Sequence, residues 1–386
     1  MPIFDQGYQH WNGPLSGHAW RWLAITRHGV RIGMKGRALR SFLLLSLMPA
    51  VALVFALSLW GLVERKSELV AVIVQFLVSA NLLNPAVVAD PRHYRVEIWT
   101  LCYTLFLSTE LTLSMILVLL VGPELISQDL RFNALPLYLS RPLRRIDYLV
   151  GKLGVIAAFL GMVIIVPCLL AYVLGLLFSL DLTILSDTYR LLLASVGYGL
   201  VIILSAGTLI LALSSLSRNS RYVALFWLGI WIVSGIVATV LQSTYQVQRR
   251  QEAYRHAVAA QQATSMPEPA PQEPSGRRRQ GRRAPPMQRW GGNEFENDEL
   301  EASKTNWRPL ISYTGNLSRI GRQLLGTDAA WKTLSELEPA YGRQGFLFRS
   351  MGPQYPWYWS ATVLAGLFGL SACILSLSVR SLDRLR

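Results

Sequence analysis

Residues 98–121 read IWTLCYTLFLSTELTLSMILVLLV, an apolar run whose only acidic or basic side chain is Glu110. A helix of about 20 apolar residues is long enough to cross the hydrocarbon core of a bilayer. A helix also pairs its own backbone amides and carbonyls, for which the bilayer offers no water. The run therefore predicts a transmembrane helix, and the rest of the chain can be read outward from it.

Comparable apolar blocks recur along the chain and predict an all-α integral membrane protein with six transmembrane helices. Of its 386 residues, 52% are hydrophobic and only 16% are charged, whereas soluble domains have about 25% charged residues. Residues 69–83 are also apolar, but they are too few for a span and predict an interfacial or re-entrant helix. The predicted spans are about 41–63, 98–121, 153–178, 191–213, 222–241 and 357–379.

These spans divide the chain into four predicted regions. Residues 1–40 form a cytoplasmic N-terminus, and residues 41–242 hold spans one to five with a connecting loop at 122–152. Residues 243–356 form a long extracytoplasmic segment, and residues 357–386 form the sixth span with a cytoplasmic tail. The centre of the long segment, 266–289, is rich in Pro, Gln and Arg and predicts disorder. A solvated linker is favoured there over a site for headgroups or an external partner.

The N-terminal region mixes tryptophans with bases. Residues 15–40 contain Trp20 and Trp22 among six Lys and Arg side chains. This pattern predicts an amphipathic interfacial helix that lies on an anionic lipid leaflet. A solvated basic tail is the alternative, but tryptophans are rare in such tails.

The net charge of +14 would suggest nucleic acid on a soluble protein. Here the bases cluster beside apolar blocks and no nucleic-acid-binding motif is visible, so we expect no nucleic-acid partner. With six spans, both termini, the 122–152 loop and the 214–221 turn share one basic side. The positive-inside rule makes that side cytoplasmic, and we expect a multi-pass protein of the cell membrane, in bacteria the inner membrane.

The most informative connection is residues 122–152, GPELISQDLRFNALPLYLSRPLRRIDYLVGK. Residues 124–139 predict an amphipathic helix that leaves the membrane, residues 140–142 break it, and residues 144–151 lead into the third span. A helix, a break and a second helix between two spans form a rigid knob. Such a knob could pass the motion of a cytoplasmic partner to the membrane helices, although an ordinary basic connector is the alternative.

This stretch resembles the segment between the second and third spans of the type-2 ABC exporter permeases. That family has an acidic residue, a small pair, a Leu-rich turn, a Ser/Thr-x-Pro break and a Gly-Lys pair. The usual Gly-Thr pair is Asn-Ala here, and the 243–356 segment is not explained. Arg131, between two of the matching positions, is a further candidate for partner coupling. The matching positions are Asp129, Asn133, Ala134, Leu135 to Leu139, Ser140, Arg141, Pro142, Gly151 and Lys152.

The resemblance implies a transport subunit in which this segment is a coupling helix. Such permeases pair with a second permease copy or a paralogue, and each docks one ABC ATP-binding subunit. The chain has no G-x-x-x-x-G-K-[ST] phosphate loop. We therefore expect ATP and Mg on the partner subunit, no cofactor on this chain and no enzymatic site of its own. Membrane lipids are the remaining expected partner.

Two other functions remain open. A non-transporting scaffold could use the same fold to anchor an ATPase or a cell-envelope machine. A secondary carrier would show paired repeats with broken helices and several intramembrane polar residues, and this chain has one such acid and no obvious repeat.

Glu110 lies deep inside the second predicted span. A charge at that depth costs at least ~2.5 kcal/mol on the insertion scale, so we expect the side chain to face the protein interior. It is either a polar point on the transport path or at the dimer seam, or a neutral carboxyl bonded to Ser108, Thr109 or a neighbouring helix. Pro167 is expected to kink the third span. The histidines and cysteines show no metal-ligand spacing.

Overall fold

The computed structural model describes residues 20–79, 85–134, 144–179, 183–265, 305–336 and 355–381. The predicted disordered centre at 266–289 lies outside these residues, as does part of the predicted coupling segment, residues 135–143. Within the described ranges the chain is helical apart from short connections and contains no strand. The predicted all-α class is confirmed.

Within the described ranges, six helices are long and apolar enough to cross a membrane, as predicted, and the protein is a multi-pass all-α membrane protein. The first span begins at Arg37 and has a short break between its helices Arg37–Leu45 and Met48–Glu64. The six spans, numbered first to sixth below, are Arg37–Glu64, Arg95–Arg131, Arg145–Phe178, Thr183–Leu216, Ser220–Arg249 and Trp357–Ser378.

Three further spans are also interrupted. The second span bends at Gly122 between the helices Arg95–Val121 and Glu124–Arg131. The third breaks at Ile164 between Arg145–Val163 and Ile165–Ser179. The break precedes Pro167, which has no amide hydrogen to continue the helical ladder. The fifth contains a π-helical turn, Gly229–Val233, between Ser220–Leu228 and Ser234–Ser265.

Shorter helices fill the connections. The helix Glu68–Ser79 corresponds to the apolar stretch predicted to be too short for a span, and it is 12 residues long. The helix Arg21–Gly33 precedes the first span. The others are Pro85–Ala89, the 3-10 helix Arg308–Ile311, Tyr313–Leu325 and Thr327–Glu336, together with the sixth-span helix Trp357–Ser381.

The spans alternate in direction, which gives the bundle two distinct ends. At one end, Ser378 near the close of the sixth span donates to the carbonyl of Ser215 near the close of the fourth. We call this the Gly122 end, because the bend of the second span lies there. The other end, where Arg95 begins the second span, is called the Arg95 end. The helix Arg21–Gly33 and the close of the sixth span both lie at the Gly122 end.

A buried ionic cluster joins the spans at the Arg95 end. Arg95 donates through Nε and Nη2 to the two carboxylate oxygens of Glu64, at 2.9 and 2.8 Å. Its Nη1 lies 3.3 Å from Asp187 of the fourth span. The side chains of Arg95 and Glu64 are 4% and 5% exposed. Paired, hydrogen-bonded charges of this kind can be buried, and they tie the first, second and fourth spans together.

The helices Tyr313–Leu325 and Thr327–Glu336 form a hairpin, which we call the 313–336 hairpin, that packs inside the bundle. The Tyr313 hydroxyl lies 2.9 Å from Ser205 of the fourth span, and the Thr327 hydroxyl lies 2.8 Å from Thr104 of the second. Gly326 joins the two helices in the left-handed conformation, with φ of 71°. The sequence did not predict that this part of the long segment enters the bundle.

Two buried arginines of the hairpin are paired with one acidic residue. Arg319 and Arg322 share Asp328, at 2.8 and 2.6 Å. Arg319 also donates from Nε to the carbonyl of Tyr355, at 2.7 Å, just before the sixth span begins. The pairing with Asp328 is needed because an unpaired guanidinium at this burial would be costly. The bond from Arg319 to Tyr355 attaches the hairpin to the start of the sixth span.

Candidate coupling site

The site is built where the second span leaves the bundle and the third span enters it. At Gly122 the chain passes so close to Ile210 of the fourth span that a Cβ atom would overlap the Ile210 side chain. The helix Glu124–Arg131 starts immediately after this bend. Glycine is required here because of the close approach rather than for its backbone angles.

The first turn of that helix is capped by a residue of another span. Ser214 of the fourth span accepts from the backbone amides of Ile126 and Ser127, at 3.1 and 3.0 Å. The Ser214 hydroxyl donates to the carbonyl of Pro123, at 3.0 Å. Amides in the first turn of a helix need acceptors from outside it, and the fourth span supplies one to the helix Glu124–Arg131.

Asp129 is the centre of the site. Its Oδ2 atom accepts from the Tyr148 hydroxyl at 2.7 Å, and it lies 2.7 Å from Nζ of Lys152. The side chains of Asp129 and Lys152 are 14% and 11% exposed. The Lys152 ammonium also lies 5.5 Å from the centroid of the Tyr148 ring. Two predicted site residues from opposite ends of the loop are thus brought into one contact.

Gly151, the other residue of the predicted Gly-Lys pair, contacts the helix Arg21–Gly33. Its carbonyl accepts from the Thr26 hydroxyl at 2.9 Å. A Cβ atom at Gly151 would lie 2.8 Å from Ile25 Cβ and 2.9 Å from the Trp22 carbonyl oxygen. The absence of a side chain at Gly151 therefore lets the N-terminal helix lie directly on the third span, beside Lys152.

The remaining predicted residues are not brought to this contact. Arg131 is exposed, with its guanidinium 5.6 Å from the Phe132 ring. Asn133 is exposed in the left-handed conformation, with φ of 51°, which asparagine tolerates better than most residues. Ala134 donates its amide to the carbonyl of Asp129, at 2.9 Å. The predicted residues Leu135, Ser140, Arg141 and Pro142 lie outside the described residues.

Sequence reasoning missed three residues of the site. Tyr148 could have been found, because it precedes Lys152 by one helical turn and so shares its helix face. Thr26 and Ser214 carry no local signal, since each bonds to a helix distant in the sequence. Both are nevertheless buried.

Glu110 lies inside the bundle rather than at this site. Its side chain is fully buried, and neither carboxylate oxygen has a hydrogen-bond partner among the described residues. The hydroxyls of Ser108 and Thr109 bond instead to the carbonyl of Leu105. The Ser114 hydroxyl, one turn further along the helix, is also buried without a described partner. The Glu110 side chain is thus buried inside a single copy of the chain. Its role in a transport path stays a prediction.

The Asp129–Lys152 contact can be tested with a double-mutant cycle. Lys152→Met and Asp129→Asn each remove the ion pair between the two side chains, so each should destabilise the protein by roughly 1–3 kcal/mol. The double variant should lose less than the sum of the two. Thermal unfolding of detergent-purified protein gives the values, and exposed Arg131→Ala is the control. Additive effects of the two substitutions would contradict the contact.

Gly151→Ala should displace the N-terminal helix from the third span, because the added Cβ atom meets Ile25 and Trp22. Gly161→Ala, in the same helix, is the matched control, since no described atom lies within 4 Å of its Cβ position. Limited trypsinolysis within Arg21–Gly33 should be roughly tenfold faster for Gly151→Ala, the equivalent of about 1.4 kcal/mol. Equal rates for both variants would contradict this packing.

Glu110→Met should raise the unfolding midpoint, because a buried carboxyl without partners costs about 1–3 kcal/mol. Ser108→Ala, on the same helix and exposed, should change stability by less than about 0.5 kcal/mol. A loss of stability in Glu110→Met would show that the carboxyl has a partner. Substrate-dependent ATP turnover of Glu110→Met, in complex with the ATP-binding subunit, separates a role on the transport path from a structural role. Unchanged turnover would exclude Glu110 from the transport path.

Comparison with known proteins does not assign this chain to a family. No protein-family model matches the sequence, and no curated protein matches it. The function is therefore inferred from the residues described above and from the resemblance carried by residues 122–152.

Proposed function

We propose that this chain is the transmembrane permease subunit of an ATP-driven exporter of the type-2 ABC class. Hydrolysis of ATP takes place on a separate nucleotide-binding subunit, and this chain couples it to export of a substrate. The observation that carries the proposal is the Asp129–Tyr148–Lys152 contact. It joins two of the residues on which the resemblance rests, and it closes residues 130–151 into a loop with a fixed base.

A fixed base is what a coupling loop requires. Movement of residues 132–143 can reach three spans, because the helix Glu124–Arg131 continues the second, is capped by Ser214 of the fourth and is bonded to Lys152 of the third. A flexible connector would absorb such movement. The contacts that hold this loop at both ends support the coupling role over an ordinary basic connector.

The Gly122 end faces the cytoplasm in this proposal. Bases concentrate there, and the positive-inside rule assigns such an end to the cytoplasm. Both termini then lie inside, in the cell membrane of a bacterium. The exposed bases or tryptophans at this end include Trp20, Arg27, Arg31, Arg131, Arg144 and Arg221.

The helix Arg21–Gly33 is an interfacial helix in this arrangement. Its Thr26 side faces the third span, while Trp20 and Leu23 are 68% and 43% exposed. A basic helix with exposed tryptophan suits the headgroup region of an anionic leaflet. The helix Arg21–Gly33 also lies beside Lys152. It therefore connects the membrane surface to the base of the coupling loop.

Partner coupling is tested by purifying the tagged chain from native membranes and identifying what accompanies it. We expect an ABC ATP-binding protein, in an amount that falls roughly tenfold when residues 135–142 are replaced by Gly and Ser, the equivalent of about 1.4 kcal/mol. Arg131→Glu should also lower recovery, since this exposed base lies beside the loop. Arg92→Glu, exposed at the Arg95 end, is the charge-matched control.

Recovery of no ATP-binding protein, together with no effect of the loop replacement, would contradict the coupling role. The scaffold alternative predicts recovery of the ATPase but an ATP turnover that ignores every candidate substrate. Turnover stimulated by a transported compound supports the exporter.

A further inference from the structure

Glu110 and Ser114 of the second span are buried polar residues to which the coupling role assigns no task. Both side chains are fully buried. Neither the two carboxylate oxygens of Glu110 nor the hydroxyl of Ser114 has a hydrogen-bond partner among the described residues. Glu110 is also the only acidic or basic residue between positions 98 and 121. Because a buried polar group without a partner is costly, these oxygens are suited to a ligand that binds between the spans.

Aromatic side chains share the helix face of Glu110. At about 100° per residue, Tyr103 and Ser114 both lie within about 20° of Glu110 around the second span, and Phe106 lies within about 40°. Tyr103 and Phe106 are buried as well. The face therefore combines a carboxyl group and a hydroxyl group with two aromatic rings. A carboxylate attracts cations, and aromatic rings also attract them, most clearly where the cation is a quaternary ammonium group.

This face of the second span is turned toward the third span. The Tyr103 hydroxyl donates to the carbonyl of Cys168 at 3.2 Å, and the two spans run in opposite directions. Glu110 lies about 10.5 Å along its helix from Tyr103, and the same distance back from Cys168 along the third span reaches about residue 161. The break at Ile164 lies within one turn of that position. Glu110 is therefore at the depth at which the third span is interrupted.

The interruption allows the third span to bend beside Glu110. Pro167 has no amide hydrogen, so the carbonyl of Val163 loses its usual helical partner. Ile164 departs from regular helix geometry, with φ of −100° and ψ of −57°. A Cβ atom at Gly161 would have no described atom within 4 Å. Helix kinks occur where the backbone ladder is broken in this way, and bending here would separate the two spans at the depth of Glu110.

Charge selects a cation over the other ligands that could enter between the spans. An anion would be repelled by the carboxylate, and an uncharged apolar compound would leave both carboxylate oxygens without a partner. A bare divalent ion such as Ca²⁺ takes about six to eight oxygen ligands, which is more than Glu110 and Ser114 supply. An organic cation needs only one opposite charge, and its apolar substituents suit the aromatic rings of Tyr103 and Phe106.

We propose that Glu110 binds the charged group of a lipophilic organic cation, an ammonium or phosphonium compound, between the second and third spans. The inference rests on the proposed function and names the substrate class of the exporter. The carboxylate pairs with the cation, the Ser114 hydroxyl supplies a further oxygen, and Tyr103 and Phe106 pack against the apolar substituents. A carboxyl that carries a proton releases it to water as the cation binds, so the net charge of the buried site stays zero.

Equilibrium binding to the purified full chain tests the site. Radiolabelled tetraphenylphosphonium is the probe, and tetraphenylborate, which has the same shape and the opposite charge, is its control. We expect saturable binding of the cation, weakened at least about tenfold by Glu110→Gln, the equivalent of about 1.4 kcal/mol. Glu110→Asp keeps the charge and should recover most of the affinity. Glu97→Gln, which removes a half-buried acid from the same helix, is the matched control and should leave binding unchanged.

Equal binding by the native chain and Glu110→Gln, binding of tetraphenylborate as tight as that of the cation, or no saturable binding of the cation would each overturn the site. Recovery of binding in Glu110→Asp separates loss of the charge from loss of the fold. The outcome is also separate from co-purification of an ATP-binding protein. Cation binding without an ATPase keeps the site and removes the exporter, whereas ATP turnover stimulated only by uncharged compounds keeps the exporter and removes the cationic substrate.

Discussion

A bilayer has no water with which to bond buried polar groups, and this constraint shapes every part of the bundle. It makes helices the only way for this chain to cross, because each helix pairs its own backbone. It also restricts where ionisable side chains can be buried. Arg95, Asp129 and Arg319 are accepted because each has an oppositely charged partner within 3 Å.

Two of these charge pairs, those of Arg95 and Asp129, lie near the two ends of the second span. Arg95 joins that span to the first and fourth spans at one end, and Asp129 joins it to the third at the other. Between them the 313–336 hairpin bonds to the same span through Thr104. The second span is thereby bonded to neighbouring helices near both of its ends and at Thr104.

Glu110 of the second span is buried, and its two carboxylate oxygens have no hydrogen-bond partner among the described residues. Buried polar groups without partners are uncommon in folded proteins and are worth a functional explanation. The stability and turnover of variants at this position separate a role on the transport path from a purely structural one.

The sequence alone determined the class of the protein, the six spans, the short Glu68–Ser79 helix and the break before Pro167. These follow from local hydropathy and backbone chemistry, which add up residue by residue along the chain. The resemblance also pointed to Asp129 and Lys152. Only the tertiary structure decided that these two meet at Tyr148, that Ser214 caps the helix Glu124–Arg131 and that the 313–336 hairpin enters the bundle. Such contacts depend on how distant helices are rotated and shifted against one another, and no local pattern of residues records that.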